Sequence, residues 1–388
     1  MQRRDFLKTL AGSTAALWAL KAGGAAAFAG DGAWPGYDKA FVINNLGGLS
    51  DPNLRLKDYE AEGIDKKTFV VSPRILADLK ASGMTAVNHT IGHVMGPGDP
   101  FEISVADIAF WNQVVRHNAD ALTLVRSVAD IKEAKQSGRC GIILGFQNTT
   151  MLGDDAERVD TFAGLGVKII QLTYNDRNRV GDGSMVAENR GLTAFGREVV
   201  ERLNHVRVLV DLSHSGEQTC LDAVKASKRP IWISHTGCRA LADTPRNKTD
   251  VELRAVAEKG GMVGIYFMPF LRDDSFAMAE DAVRHIEHAI DICGEDHVGI
   301  GTDGGTTAVD DVDAFRAVIA REIEERRKAG ISAKGEKPGV VTFLPDMQGP
   351  DQFRMLAAML SKRGHSTGRI EKILGQNSLA FMREIWGA

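Results

Sequence analysis

Strand-length apolar runs alternate with helix-period segments along most of this chain, and that alternation limits its possible folds more than any single residue does. The runs are AFVINN (40–45), MTAVNHT (84–90), GIILGFQ (141–147), VKIIQLTY (167–174), VRVLVDLSH (206–214), PIWISH (230–235), GMVGIYF (261–267) and HVGIGTD (297–303). Between them lie amphipathic patterns such as SPRILADLKASG, TAFGREVVERLN and AVRHIEHAIDICG. Eight β-then-α units without a compositional break predict an α/β fold, a (β/α)8 parallel barrel. Periodicity does not report closure, so an open doubly wound sheet is the alternative. The helix-rich segment after residue 310 predicts additional C-terminal helices against the outside of the barrel, with EIEERRK as a solvated face.

The first 29 residues stand apart. Arg3-Arg4 precede Phe6-Leu7-Lys8, the apolar run TLAGSTAALWAL and then Ala27-Phe28-Ala29. This pattern predicts a twin-arginine export signal cleaved after Ala29, a periplasmic mature protein, and one domain over 30–388. A net charge of −4, with no long basic run, argues against nucleic acid as a partner, and no later segment has the apolar length of a membrane span. The four cysteines lack metal-ligand spacing. An exported protein permits a Cys220–Cys238 disulfide, whereas Cys140 and Cys293 read as buried small hydrophobes.

The strand ends carry the functional signal. Asn44 and Asn45, His89, Gln147, Tyr174, His214, His235, Tyr266 and Asp303 terminate or follow the runs. In a parallel barrel these ends share one face, where active sites are built. His214 (VDLSHSG) and His235 (WISHTGC) each follow an apolar strand as Ser-His, and they end consecutive strands. Neutral imidazoles so placed can converge on one cation. Asp303, in GTDGG, can take a proton from an attacking water and return it to a leaving amine; the competing reading is a turn aspartate. Arg246, in DTPRNKTD, can clamp a carboxylate through its planar fork. His93 lies on a Gly- and Pro-containing loop that could reach the mouth. His285 and His288 sit three apart on one helix and read as structural.

These stretches, from GLTAFGREVVERLN through VLVDLSHSG, WISHTGCRAL and TPRNKTD to VGIGTDGG, resemble the membrane (renal) dipeptidase family of metallopeptidases. The resemblance runs from about residue 40 to 380 and is densest over 191–305. It implies a barrel of amidohydrolase type with two zinc ions bridged by a carboxylate and a hydroxide. Carried over by residue, His214 and His235 match the ligands of the second zinc, Asp303 the acid/base, and Arg246 the arginine that grips the substrate's terminal carboxylate. A homodimer is compatible with the relation.

The departures are specific. The His-x-Asp pair that holds the family's first zinc falls on Leu46 and Gly48, the bridging glutamate on Gln147, and a substrate-facing histidine on Tyr174. Two divalent cations about 3.5 Å apart repel by roughly 19 kcal/mol at an effective dielectric near 20, and a neutral amide offsets little of that. The expectation is one divalent cation, zinc by family, held by His214 and His235 with Gln147, Asp303 or water completing the shell, or else no metal. Tyr174, Asn45 and His89 are expected to line the substrate site.

Two functions follow. One is a metal-dependent hydrolase acting on a dipeptide or related small amide with a free carboxylate. The other is a barrel that has lost hydrolysis and serves as a binding protein or a non-hydrolytic enzyme of isomerase or lyase type.

Overall fold

The computed structural model describes residues 33–54, 63–328, 337 and 339–387; the predicted export signal lies outside them. Nine parallel strands are formed: β1 Ile43–Gly47, β2 Ala86–Ile91, β3 Leu122–Leu124, β4 Cys140–Phe146, β5 Val167–Gln171, β6 Leu209–Asp211, β7 Trp232–Thr236, β8 Met262–Ile265 and β9 Val298–Ile300. Eight of them close in the order β1-β2-β4-β5-β6-β7-β8-β9, with β9 pairing back to β1. The barrel is therefore closed and the open sheet is excluded.

The ninth strand, β3, is absent from the sequence reading. It pairs with the first half of β4, Leu122 opposite Cys140, while β5 takes the second half, Val167 opposite Leu144. Three residues too short to show alternation fill an edge that β5 leaves open.

The crossover helices follow the predicted start and stop signals. In α1 (Pro73–Ser82), the Ser72 side chain accepts from Ile75 N, Pro73 opens the first turn, and Gly83 ends it at φ 66°. Asp99 caps α2 (Pro100–His117) in the same way. Thr249 and Glu252 form a reciprocal capping box between strands β7 and β8, at the start of the helix Asp250–Glu258. No helix among the described residues is long and apolar enough to cross a membrane.

The C-terminal helix Asn377–Trp386 closes the N-terminal end of the barrel. Its Leu379, Phe381, Met382 and Ile385 pack with Ile43, Ile169, Trp232 and Met262 from the starts of the strands. That apolar floor leaves the opposite rim as the polar end.

Two expectations are corrected. All four cysteines are buried free thiols, so Cys220–Cys238 is not a disulfide; the Cys238 thiol turns instead to the His285 carbonyl at 3.4 Å. Asn45 does not reach the mouth. It faces the barrel interior with no exposed area, and its Oδ1 accepts from Ser378 Oγ of the closing helix at 2.8 Å. Alternation explains this: Ile43, two residues earlier, already points into the floor.

Candidate active site

His214 and His235 arrive at one point because β6 stops early. After Asp211 the chain turns instead of extending, since the Asp211 carboxylate accepts Ser213 N at 3.0 Å and Ser213 Oγ at 2.6 Å. The same carboxylate reaches β7, accepting Ser234 N at 3.0 Å and Ser234 Oγ at 2.5 Å. Ser213 Oγ in turn accepts His235 N at 3.0 Å. Burial pushes the Asp211 carboxyl upward, and the four hydrogen bonds from Ser213 and Ser234 oppose that shift. A group accepting from four donors acts as the ionised carboxylate.

This network sets the tautomers of both imidazoles. The Ser234 hydroxyl proton is committed to Asp211, so at 2.8 Å Ser234 Oγ accepts from His235 Nδ1–H. Asn175 Oδ1 likewise accepts from His214 Nδ1–H at 2.8 Å. The proton of each neutral ring is then on Nδ1, and the two Nε2 lone pairs face each other 3.0 Å apart. Burial first, and then the nearby Arg246 cation, hold both imidazoles well below their ordinary pKa, so neither ring relieves the opposition by protonation.

Opposed lone pairs repel, and a cation between them reverses the sign. Tetrahedral zinc with bonds of about 2.0–2.1 Å sets its ligand atoms roughly 3.3 Å apart, a few tenths of an ångström more than the separation here. Ligating histidines also characteristically give their second N–H to an oxygen acceptor, as both do in this site. The pair fits one cation. A second does not fit: Leu46 is apolar and buried, Gly48 has no side chain, and the Gln147 amide nitrogen donates to Thr90 Oγ1 at 2.8 Å. No three His, Cys, Asp or Glu side chains among the described residues converge to hold a metal, so Asp303 does not complete a protein shell around the histidines.

Arg246 links this pair to Asp303. The loop from Thr236 to Lys248 folds back on itself, with Lys248 N donating to Gly237 O and Thr236 Oγ1 to Arg246 O. Asn247 pins it by donating to Ala242 O and Phe270 O and by accepting the Tyr266 hydroxyl. The guanidinium is consequently buried at 4% exposure, 5.6 Å from the Tyr266 ring centroid. Its Nη1 donates to Ser213 O at 2.8 Å, and Nη2 has no partner among the described residues. A buried guanidinium with a free N–H edge is made for an anion.

Asp303 follows β9 in the left-handed region, at φ 59°, a conformation that aspartate tolerates better than most side chains. Its N–H donates to Leu46 O at 3.0 Å. The preceding Thr302 is fixed by Asn44, whose Oδ1 accepts from Thr302 N and whose Nδ2 donates to Thr302 Oγ1, each at 2.8 Å. Asn44 therefore joins β1 to β9 where the strand ladder ends. Burial raises the Asp303 carboxyl to about 6, with Arg246 pulling the other way.

Of the remaining predicted residues, Tyr174 alone touches this group. Tyr174 stacks on His214, centroids 4.2 Å apart. His89 packs against α2, its ring 3.7 Å from the Trp111 centroid, and burial lowers its pKa to about 3. His93 clasps a loop, bonded to Thr150 Oγ1 and Gly96 O. His285 bonds Cys238 N and Leu271 O, and His288 pairs with Asp250.

Sequence reasoning missed Asp211, Ser213, Ser234, Asn175 and the buried pair Lys248–Glu252, joined at 2.9 Å. The repeated Ser before each histidine was the available signal for part of the network. Two larger cavities flank the centre, beside one of about 230 Å³ that also includes Asp303. One of about 600 Å³ lies over β5–β7, lined by Asn175, Ser184, Ser215, Asn247 and Lys248. The other, about 590 Å³, lies over β9, β1 and β2, lined by Asp303, Gly48, His89 and Trp111.

With this geometry in view, the relatives are informative. Residues 84–335 match the family model described as membrane dipeptidase (peptidase family M19). The chain is 32% identical over 246 residues to an uncharacterized protein in the pqqA 5' region of Klebsiella pneumoniae, covering 60% of this chain and 90% of that one. It is 28% identical over 271 residues to dipeptidase tcpJ of Claviceps purpurea, 69% of this chain but only 56% of the longer fungal protein. Among solved structures, an amidohydrolase from Pseudomonas aeruginosa superposes with a TM-score of 0.74 at 31% identity, over 90% of this chain and 98% of that one. The chain belongs to the membrane dipeptidase family, peptidase family M19.

Proposed function

We propose that the protein is a metal-dependent hydrolase of a dipeptide, or of a related small amide with a free carboxylate, built around one divalent cation rather than two. One observation carries this: two neutral imidazoles hold their Nε2 lone pairs 3.0 Å apart, beside a buried guanidinium with an unpartnered N–H edge. His214 and His235 would hold the cation, zinc by family. Such a cation supplies Lewis acidity to the amide carbonyl and to the water that attacks it.

The chain's own residues supply the rest. Arg246 holds the substrate carboxylate through Nη2 while Nη1 stays on Ser213 O. That contact would orient the scissile amide towards the histidines and Asp303. Asp303, a carboxylate above about pH 6, takes the proton from the attacking water and returns it to the departing amine. The leader carrying Arg3-Arg4 is proposed to export the protein to a periplasm.

A dipeptide panel tests this, with zinc, manganese and iron each added back to metal-free protein. Turnover is expected for free dipeptides and not for their C-terminal amides, and Arg246→Ala should abolish that discrimination chiefly through KM. No turnover with any of the three metals would overturn the reading. The second reading, a non-hydrolytic barrel, is favoured by the Gln147 amide bound to Thr90 and by the lack of a third protein ligand among the described residues. Elemental analysis separates the two: a stoichiometric metal together with turnover excludes it.

A further inference from the structure

The cavity over β9, β1 and β2 occupies the side of the mouth where the resemblance places a first metal, and its walls have the chemistry of an organic subsite. Phe110 and Trp111 form one wall from α2, and Gly47 and Gly48 leave the opposite side without side chains. His89 lies between them, 6% exposed, with Nδ1 unpartnered among the described residues and no protonation to bring in water. Nδ1 is directed at the glycines: a Cβ built on Gly48 would lie 3.7 Å from it. Charge is kept to the rim, where Lys66 is exposed and Asp107 accepts from Gly92 N. Asp303 is shared with the centre.

We propose that this cavity receives the side chain of the residue on the acyl side of the scissile amide, and that it selects a large aromatic one. The proposal rests on the dipeptidase reading. The position around the barrel fixes the direction: Arg246 follows β7, Asp303 follows β9, and the cavity continues over β1 and β2. A carboxylate on Arg246 with the scissile bond at Asp303 sends the other residue towards Trp111. The ring would lie against Phe110 and the outer edges of Trp111 and His89, whose rings already touch each other at 3.7 Å.

Gly48 is the position at which to test it. Its backbone lies outside the left-handed region, and a Cβ there meets His89 at 3.6 Å, an ordinary contact, so a Cβ is accommodated and a longer side chain would project beside His89. Gly47 gives no such access, because its Cβ would meet Gly304 O at 2.6 Å. The experiment compares kcat/KM for Gly-Ala, Ala-Ala, Leu-Ala, Phe-Ala and Tyr-Ala in wild type, Gly48→Ala and Gly48→Leu.

Wild type is expected to prefer Phe-Ala over Gly-Ala by roughly tenfold to a hundredfold, as for burial of one aromatic side chain. Gly48→Leu should cut the Phe-Ala to Gly-Ala ratio at least tenfold, while Gly48→Ala shows that a Cβ alone is accommodated. Equal rates for Gly-Ala and Phe-Ala in wild type overturn the proposal and leave the hydrolase reading intact. If no dipeptide is turned over, the hydrolase reading fails. The subsite is then decided by binding of L-phenylalanine against glycine, followed by calorimetry. Phenylalanine binding that Gly48→Leu removes supports it, and no binding overturns it.

Discussion

Replacing Asp303 by asparagine should make the metal-free protein more stable while removing its proton acceptor. The carboxyl is held at about 6 against an ordinary 3.8, chiefly by burial. Between those two values the folded chain keeps a proton that the unfolded chain has released. Stability is therefore fully retained below the ordinary value and lost as pH rises towards 6, the reverse of a salt-bridged aspartate. Each pKa unit is worth about 1.36 kcal/mol, so the burden at pH 8 is at most about 3 kcal/mol, and at pH 5 about half of that. Asparagine has the same shape, accepts the φ of 59°, and leaves the backbone bond to Leu46 O in place. Urea unfolding with a chelator present, at pH 8 and at pH 5, measures the difference. Asp303→Asn should gain up to about 3 kcal/mol at pH 8 and clearly less at pH 5, with hydrolysis lost at both. A gain that does not change with pH, or a loss at pH 8, would refute the assignment of burial as the source of the shift.

Ser234→Ala should release the His235 tautomer, because it removes the oxygen that accepts Nδ1–H. Nitrogen-15 NMR of the metal-free protein should find both His214 and His235 protonated on Nδ1 in wild type, and only His214 fixed so in the variant, with zinc affinity falling about 10- to 100-fold. A wild-type His235 protonated on Nε2 would contradict the network. Lys248→Met should cost about 3–5 kcal/mol in urea unfolding, since it strands Glu252 with both side chains at 3% exposure or less. Lys248→Met with Glu252→Leu should recover most of that, leaving the roughly 1 kcal/mol of the helix cap that Glu252 shares with Thr249 and the bond that Lys248 Nζ gives to Ser215 O.

The barrel was legible because each strand buried on both faces reads as a continuous apolar run between helix-period segments. Strand ends were less so. VRVLVDLSH reads as nine extended residues, yet β6 spans Leu209–Asp211, because Asp211 captures the following serine and turns the chain. A carboxylate inside an apolar run gives no periodic sign of which neighbours it will bond. Asn175 and Lys248 lie in loops, where neither position nor partner follows from spacing. Asn44 and Asn45 looked alike in sequence, but one knits β1 to β9 and the other faces the closing helix; strand alternation separates them once the inward face is known. The cysteine spacing carried no geometric information, and the disulfide it permitted is not formed.

The two sides of the mouth are held by separate bond sets, which accounts for one lacking ligands while the other keeps them. The β6–β7 side depends on Asp211, Ser213, Ser234 and Asn175, with no atom from β1, β2 or β4. On the β9–β1 side, Asp303 N bonds Leu46 O and Gly48 N bonds Gly304 O, so that seam uses the backbone at 46 and 48 and is indifferent to their side chains. Asp303 can thus stay in place with leucine and glycine at those positions. A second divalent cation there would add repulsion of order 19 kcal/mol, with the neutral Gln147 amide in place of a bridging carboxylate. With a single cation, Asp303 has the Arg246 charge and the cation for balance, and the neutral walls of His89, Trp111 and Gly48 are left for an uncharged part of the substrate. The Asp303 and Arg246 charges then lie near opposite ones, a condition that a two-cation centre without a bridging carboxylate does not meet.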